Sequence, residues 1–169
     1  KTSRATTRFS VDAIQSLGAH QIDVKKCCID YLASGSSKWL LADHGNGMFY
    51  CSSDSMEDLA GAPVGADSLV DFLDASKGYF PDARRFEVGM PNMQGICGLN
   101  EQLALINKIG IKNIEKRIEE LTDYLAVRLK EKGYMIVSPR EQLVNKSGMV
   151  VFSTSEWEAQ PDWDLTQNS

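Results

Sequence analysis

Short apolar runs broken by turn residues fill the first third of the chain. Phe9-Ser10-Val11 leads into Asp12, and Cys28-Ile29-Asp30-Tyr31-Leu32-Ala33 is a nearly continuous apolar run interrupted only by Asp30. The second run is long enough for a buried strand and too short for a buried helix. Between them, Ile22-Asp23-Val24-Lys25-Lys26 reads as a short strand or turn feeding one helical turn. Asp43-His44-Gly45-Asn46-Gly47 is a tight turn before a third strand, Met48-Phe49-Tyr50-Cys51. Ser52 to Pro81 carries Gly61, Pro63, Gly65, Gly78 and scattered acids, and so reads as a surface connection with short local structure.

The period then changes. Leu99, Leu103, Ile106 and Ile109 recur at helical spacing before Gly110, a stop signal. Ile114, Ile118, Leu121, Leu125 and Leu129 form the stripe of a long amphipathic helix ending near Gly133, whose Glu, Lys and Arg make a solvated face. Tyr134-Met135-Ile136-Val137 and Met149-Val150-Val151-Phe152-Ser153 return to strand character. Lys1 to Arg8 reads as a loop or frayed end, and the polar stretch from Trp157 to Ser169 as a tail.

Composition narrows the class. The chain has 169 residues, 43% hydrophobic and 24% charged, with a formal net charge of −5. That balance suits one globular domain or parts of two, and argues against a nucleic-acid or anionic-membrane partner, which needs a clustered basic surface. No apolar run approaches the roughly 20 residues that span a bilayer. The basic N-terminal segment lacks the apolar core of a secretory signal. Cys27, Cys28, Cys51 and Cys97 show no C-x-x-C spacing, which predicts reduced, partly buried thiols in a cytoplasmic protein. Two histidines, His20 and His44, are too few and too far apart for a histidine metal cage, and no metal is expected.

The candidate chemistry lies in Ser34-Gly35-Ser36-Ser37-Lys38-Trp39-Leu40, read with Val11-Asp12-Ala13-Ile14-Gln15-Ser16-Leu17-Gly18. Each segment places polar groups just after an apolar strand, and the carboxyl ends of neighbouring parallel strands face one crevice. A lysine, an aspartate and two serine hydroxyls gathered there suit pyridoxal phosphate, which offers an aldehyde, a pyridine nitrogen and a phosphate. Residue types alone leave other roles open. Lys38 could be a solvated strand end, and Asp12 an N-cap for a short helical turn.

These segments, together with Asp30-Tyr31-Leu32-Ala33, Ser37-Lys38-Trp39-Leu40-Leu41, Gly45-Asn46-Gly47-Met48-Phe49-Tyr50 and Ala83-Arg84-Arg85-Phe86-Glu87-Val88-Gly89-Met90-Pro91-Asn92, resemble the core of the class V aminotransferases, a family that includes cysteine desulfurases and selenocysteine lyases. The resemblance spans about residues 9 to 153, part of a full family member. It implies an α/β fold: the large-domain portion of a fold type I pyridoxal-phosphate-dependent transferase, with a mainly parallel sheet, plus the start of a small α+β domain. Residues 1–95 would be the C-terminal half of the cofactor-binding large domain, and 96–169 the linking helices and start of the small domain.

The resemblance also implies roles. Lys38 would form the Schiff base and act as general base, Asp12 would pair with the ring nitrogen, Gln15 would approach the phenolic oxygen, and Ser36 and Ser37 would bind phosphate. Asp30 would be a structural hydrogen-bonding group. The substrate would be a small amino acid and the assembly a homodimer. Departures stand at Ser37, where the desulfurase branch most often has histidine, at Ala42-Asp43 and Asn46, where Gly-Pro is usual, and at Met90, where a threonine normally reaches the phosphate of the other subunit. Methionine has no hydroxyl to donate. The alternative expectation is therefore a non-catalytic member acting as a dimerisation or scaffold unit.

Overall fold

The computed structural model describes residues 7–59, 65–142 and 146–154. Both the first six residues and the tail expected from Trp157 lie outside this set. Three strands form the first sheet: β1 (Ser10–Asp12), β2 (Tyr31–Gly35) and β3 (Gly47–Cys51), in the order β1-β2-β3. β1 and β2 are parallel, with Asp12 opposite Ala33, whereas β2 and β3 are antiparallel, with Ala33 opposite Phe49. The connection 36–46, which carries the Lys38 loop, returns the chain so that Gly35 pairs with Gly47.

β2 begins three residues later than the apolar run suggests. The preceding segment is a capped turn: the Asp23 carboxylate accepts from the Lys25 and Lys26 N–H groups at 3.0 Å each. Cys28 ends that turn at a φ of 53°, in the left-handed region, so extended pairing cannot include it. Ile22–Lys26 accordingly forms turn structure and no strand.

Burial follows the strand alternation. Leu32 and Ser34 face inward from β2, while Ala33 faces out. Ala13, Ile29 and Leu32 form one buried cluster, with Val11, Leu17, Ile22, Val24 and Tyr50 packed around it. A second cluster joins Leu40 to Leu99 and Ile106 of the first helix, α1 (Met93–Ile109). Burying a side chain of this size contributes about 1.5–3 kcal/mol, so these leucines are what fixes α1 to the strand loops. Asn92 caps α1, its Oδ1 accepting from the Gly95 N–H at 3.1 Å, and Gly110 ends it by donating to Ile106 O at 2.8 Å.

Asp30, expected as a structural group, is that. Its buried carboxylate accepts from Phe9 N–H at 3.0 Å, from Ser55 Oγ and from Ser52 Oγ at 3.4 Å, and meets Arg8 at 3.5 Å. It thereby ties the starts of β1 and β2 to the connection after β3. The described residues of that connection carry four 3-10 turns: Met56–Leu59, Ala66–Ser68, Ala75–Lys77 and Ala83–Phe86. Asp74 and Asp82 cap the last two. Three of the four cysteines are exposed, not partly buried as expected; only Cys51, in β3, is partly covered, and its burial pushes the thiol's pKa up.

The chain divides into two compact units, Lys1–Ile114 and Glu115–Ser169, so the division falls inside the second helix, α2 (Ile111–Glu131). In the second unit, β4 (Met135–Ile136) and β5 (Phe152–Ser153) pair antiparallel. Tyr134 and Phe152 rings pack 5.5 Å apart. Asp123 of α2 binds Arg140 and Lys146, each at 2.7 Å, and both cations hold its carboxyl below the usual carboxylate range.

Candidate functional site

The carboxyl ends of β1 and β2 lie side by side because the two strands are parallel. Asp12 closes β1 and is exposed. Its Oδ1 accepts from the Ile14 N–H at 3.0 Å, so the turn-capping role open from sequence is present. That bond uses one oxygen and fixes the carboxylate, and the other has no partner among the described residues. Asp12, Ala33 and Phe49 form one row across the three strands, on the face left open to solvent. A hollow of about 560 Å³ lies there, lined by Asp12, Ile14, Ala33, Ser34, Gly35, Gly47, Met48 and Phe49.

Lys38 stands three residues past the end of β2, exposed, with no hydrogen bond or ion pair to its ammonium among the described residues. It does not line the hollow, and nothing joins it directly to Asp12. What joins their segments is Gly18. The turn after Asp12 runs through Gln15, also exposed, to Gly18 at a φ of 94°, where a Cβ would come within 2.5 Å of the Trp39 carbonyl oxygen. Only glycine allows the Asp12 turn to press this closely on the residue next to Lys38.

The two serines part company. Ser36 is completely buried, its hydroxyl bonded to the carbonyls of Asp43 at 2.6 Å and Asn46 at 3.0 Å, while its N–H donates to Asn46 O at 3.1 Å. It is a staple between the lysine loop and the turn before β3, its hydroxyl proton committed to backbone carbonyls. Ser37 is half-buried and its hydroxyl is uncommitted among the described residues.

Sequence reasoning missed the support behind this loop. Asn46 packs its amide against Gly95 in the first turn of α1, where a Cβ would meet Asn46 Nδ2 at 1.8 Å and Asn92 Nδ2 at 2.6 Å. The signal that could have revealed it is Asn92-x-x-Gly95, a capping asparagine followed by a residue with no side chain. Met90, at the position of the expected threonine, is 93% exposed. His44 is exposed in its loop, and no group of three metal-ligating side chains occurs among the described residues.

Parallel β1 and β2 followed by α1 make this an α/β unit, with Asp12 and Lys38 in the segments that follow the carboxyl ends of the parallel strands. Known structures agree. The apo cysteine desulfurase of Thermococcus onnurineus NA1 superposes with a TM-score of 0.76 at 29% identity, covering 89% of this chain and 37% of that one. The cystine C-S lyase C-DES, in complex with cysteine persulfide, has the same fold, with a TM-score of 0.76 at 24% identity over 86% of this chain and 38% of that one. This is the fold of the fold type I pyridoxal-phosphate-dependent enzymes.

The profile described as Aminotransferase class-V matches residues 2–165, and the chain belongs to that family of pyridoxal-phosphate-dependent enzymes. A probable cysteine desulfurase of Methanothermobacter thermautotrophicus is 33% identical over 121 residues, 69% of this chain and 29% of that protein. One from Pyrococcus abyssi is 32% identical over 145 residues, 86% of this chain and 36% of that protein. The chain thus spans about a third of the length of the curated relatives it matches. No helix among the described residues is long and apolar enough to cross a membrane.

Proposed function

We propose that this chain carries the lysine half of a pyridoxal-phosphate site, and that the whole protein is a cytoplasmic homodimer acting on a small amino acid by cysteine desulfurase, lyase or transaminase chemistry. The observation that carries the reading is the pairing of segments: Asp12 ends β1 beside a hollow, and its turn is pressed through Gly18 onto the loop of Lys38. An acid with one oxygen, an ammonium and a hydroxyl that have no partner among the described residues fit the ring nitrogen, the aldehyde and the phosphate respectively.

When bound, pyridoxal phosphate supplies an electron sink for a carbanion at the substrate α-carbon. Asp12, held in direction by the Ile14 N–H, would keep a proton on the ring nitrogen through its second oxygen. Lys38 would hold the aldehyde end of the cofactor through Nζ and would take and return the proton at the substrate α-carbon. A positioned proton donor and acceptor of this kind contributes about 10²–10⁴-fold. Gln15 would donate from its amide to the phenolic oxygen, and Ser37 would donate to phosphate. Ser36 keeps the loop in shape from beneath. At the position of the family's threonine, Met90 would offer the partner subunit's cofactor only its backbone N–H, which would weaken phosphate binding by one charge-assisted hydrogen bond, about 1.5–3 kcal/mol.

The test is a visible absorbance titration with pyridoxal phosphate. A bound-cofactor band that is absent in Lys38→Ala and weakened in Asp12→Asn is expected. No band at saturating cofactor would overturn the reading. It would leave the second one, a dimerisation or scaffold unit, which the exposed Met90 side chain favours.

A further inference from the structure

The turn before β2 presents two adjacent cysteines, Cys27 and Cys28, both exposed. Backbone hydrogen bonds close it. Cys27 N–H donates to Asp23 O at 2.9 Å, Cys28 N–H to Lys25 O at 3.2 Å and Ile29 N–H to Val24 O at 2.9 Å. The last two bonds are the paired closure of a helical turn whose final residue lies in the left-handed region, a place that favours glycine and is held here by Cys28 at a φ of 53°. Ile29 and Val24 pack beneath, in the buried cluster with Ala13 and Leu32. The turn is thus anchored from below while its two thiols stand in solvent.

Three physical facts select what such a pair can hold. Neighbouring Cα atoms are about 3.8 Å apart across a trans peptide, short of the roughly 4.4–6.8 Å that disulfides span. A direct sulfur–sulfur bond is therefore disfavoured, whereas a larger atom bonded to both sulfurs enlarges the ring and relieves it. Thiolates favour soft centres. No set of three metal-ligating side chains occurs among the described residues, so a four-ligand zinc cage has no partners to complete it. A centre satisfied by two sulfurs and one ligand of its own fits.

We infer that Cys27 and Cys28 form a two-thiol chelating site for a trivalent organoarsenical. In the capture step both S–H bonds break, two As–S bonds form, and the arsenic-bound oxygen leaves as water with the two thiol protons. Neither sulfur nor arsenic changes oxidation state. The site precedes the amino end of β2, and Lys38 follows its carboxyl end, so a five-residue strand, roughly 17 Å, separates the thiols from the proposed cofactor site. The inference stands whether or not that site binds cofactor.

The test uses fully reduced protein and phenylarsine oxide, with thiols counted by Ellman's reagent and adducts by intact mass. Titratable thiols are expected to fall from four to two at one arsenical per chain. The adduct should survive excess 2-mercaptoethanol and be removed by dithiothreitol. Cys27→Ser and Cys28→Gly should abolish the monothiol-resistant adduct; the glycine suits the left-handed φ and keeps the turn folded. Cys51→Ser and Cys97→Ser should retain it. Loss of one thiol per arsenical, an adduct that persists in Cys27→Ser or Cys28→Gly, or its loss in Cys97→Ser would overturn the assignment.

Discussion

Gly18 is where the fold and the proposed site depend on one another, and Gly18→Ala isolates that dependence. At a φ of 94° any Cβ is strained, by about 1–2 kcal/mol. The added carbon would also sit 2.5 Å from Trp39 O and 2.7 Å from Trp39 C, backbone atoms that cannot swing aside. Forcing a group into a packed place costs typically about 1–3 kcal/mol, so the sum is about 2–5 kcal/mol. Gly133 is the control. Its φ of 84° also lies in the left-handed region, but a Cβ there meets nothing within 4 Å, which leaves only the first cost, about 1–2 kcal/mol. Urea unfolding of both variants, with midpoints compared at constant slope, measures the difference. Gly18→Ala should be the less stable by about 1–3 kcal/mol and should also lose affinity for pyridoxal phosphate, because the lysine loop must retreat from the Asp12 turn. Equal destabilisation of the two variants would refute the close approach.

Other consequences follow from the same geometry. Asp30→Ala strands the Phe9 N–H and the fully buried Ser55 hydroxyl and leaves Arg8 short of an acid. Leaving a buried donor without its acceptor costs about 1–3 kcal/mol, to be read as a lowered unfolding midpoint. Ser36→Ala should cost about 0.5–1.5 kcal/mol of stability through the lost bond to Asp43 O. Ser37→Ala should instead lower cofactor affinity with little change in melting temperature, and the reverse pattern would show that the two serines exchange roles. The Asp82 carboxyl, bonded to Arg84, is lowered from 3.8 to about 2. A depressed carboxylate contributes stability that is complete above the unfolded pKa and is lost as pH falls through the folded one. The cap it gives the turn Ala83–Phe86 should therefore weaken between about pH 4 and pH 2, and an NMR titration of its carboxyl carbon should show that midpoint, with a midpoint near 4 contradicting it.

Much of the fold was legible in the residues. Phe9 and Val11 announced β1 to within a residue, Met48–Cys51 announced β3, and the leucine and isoleucine spacing announced both helices. β2 was displaced because hydrophobicity reports burial and says nothing of φ. Ile29 and Asp30 are buried as the run implies, yet Cys28 in the left-handed region delays strand pairing to Tyr31. The site was legible in residue type but not in direction. Ser36 and Ser37 are the same residue one position apart, and only the course of the loop over Asp43 and Asn46 decides which hydroxyl is consumed inside. The supporting contacts of Gly18 and Gly95 were invisible for a related reason: a glycine in sequence shows an absence, and only the neighbouring backbone or amide shows what the absence makes room for.

The most direct measurement of the central claim is chemical trapping. Protein incubated with pyridoxal phosphate is reduced with borohydride, digested, and its peptides mapped for the added pyridoxyl mass. The account predicts one labelled residue, Lys38, with labelling abolished by Lys38→Ala and diminished by Asp12→Asn. Label spread over surface lysines such as Lys25 and Lys26, or unchanged in Lys38→Ala, would contradict it.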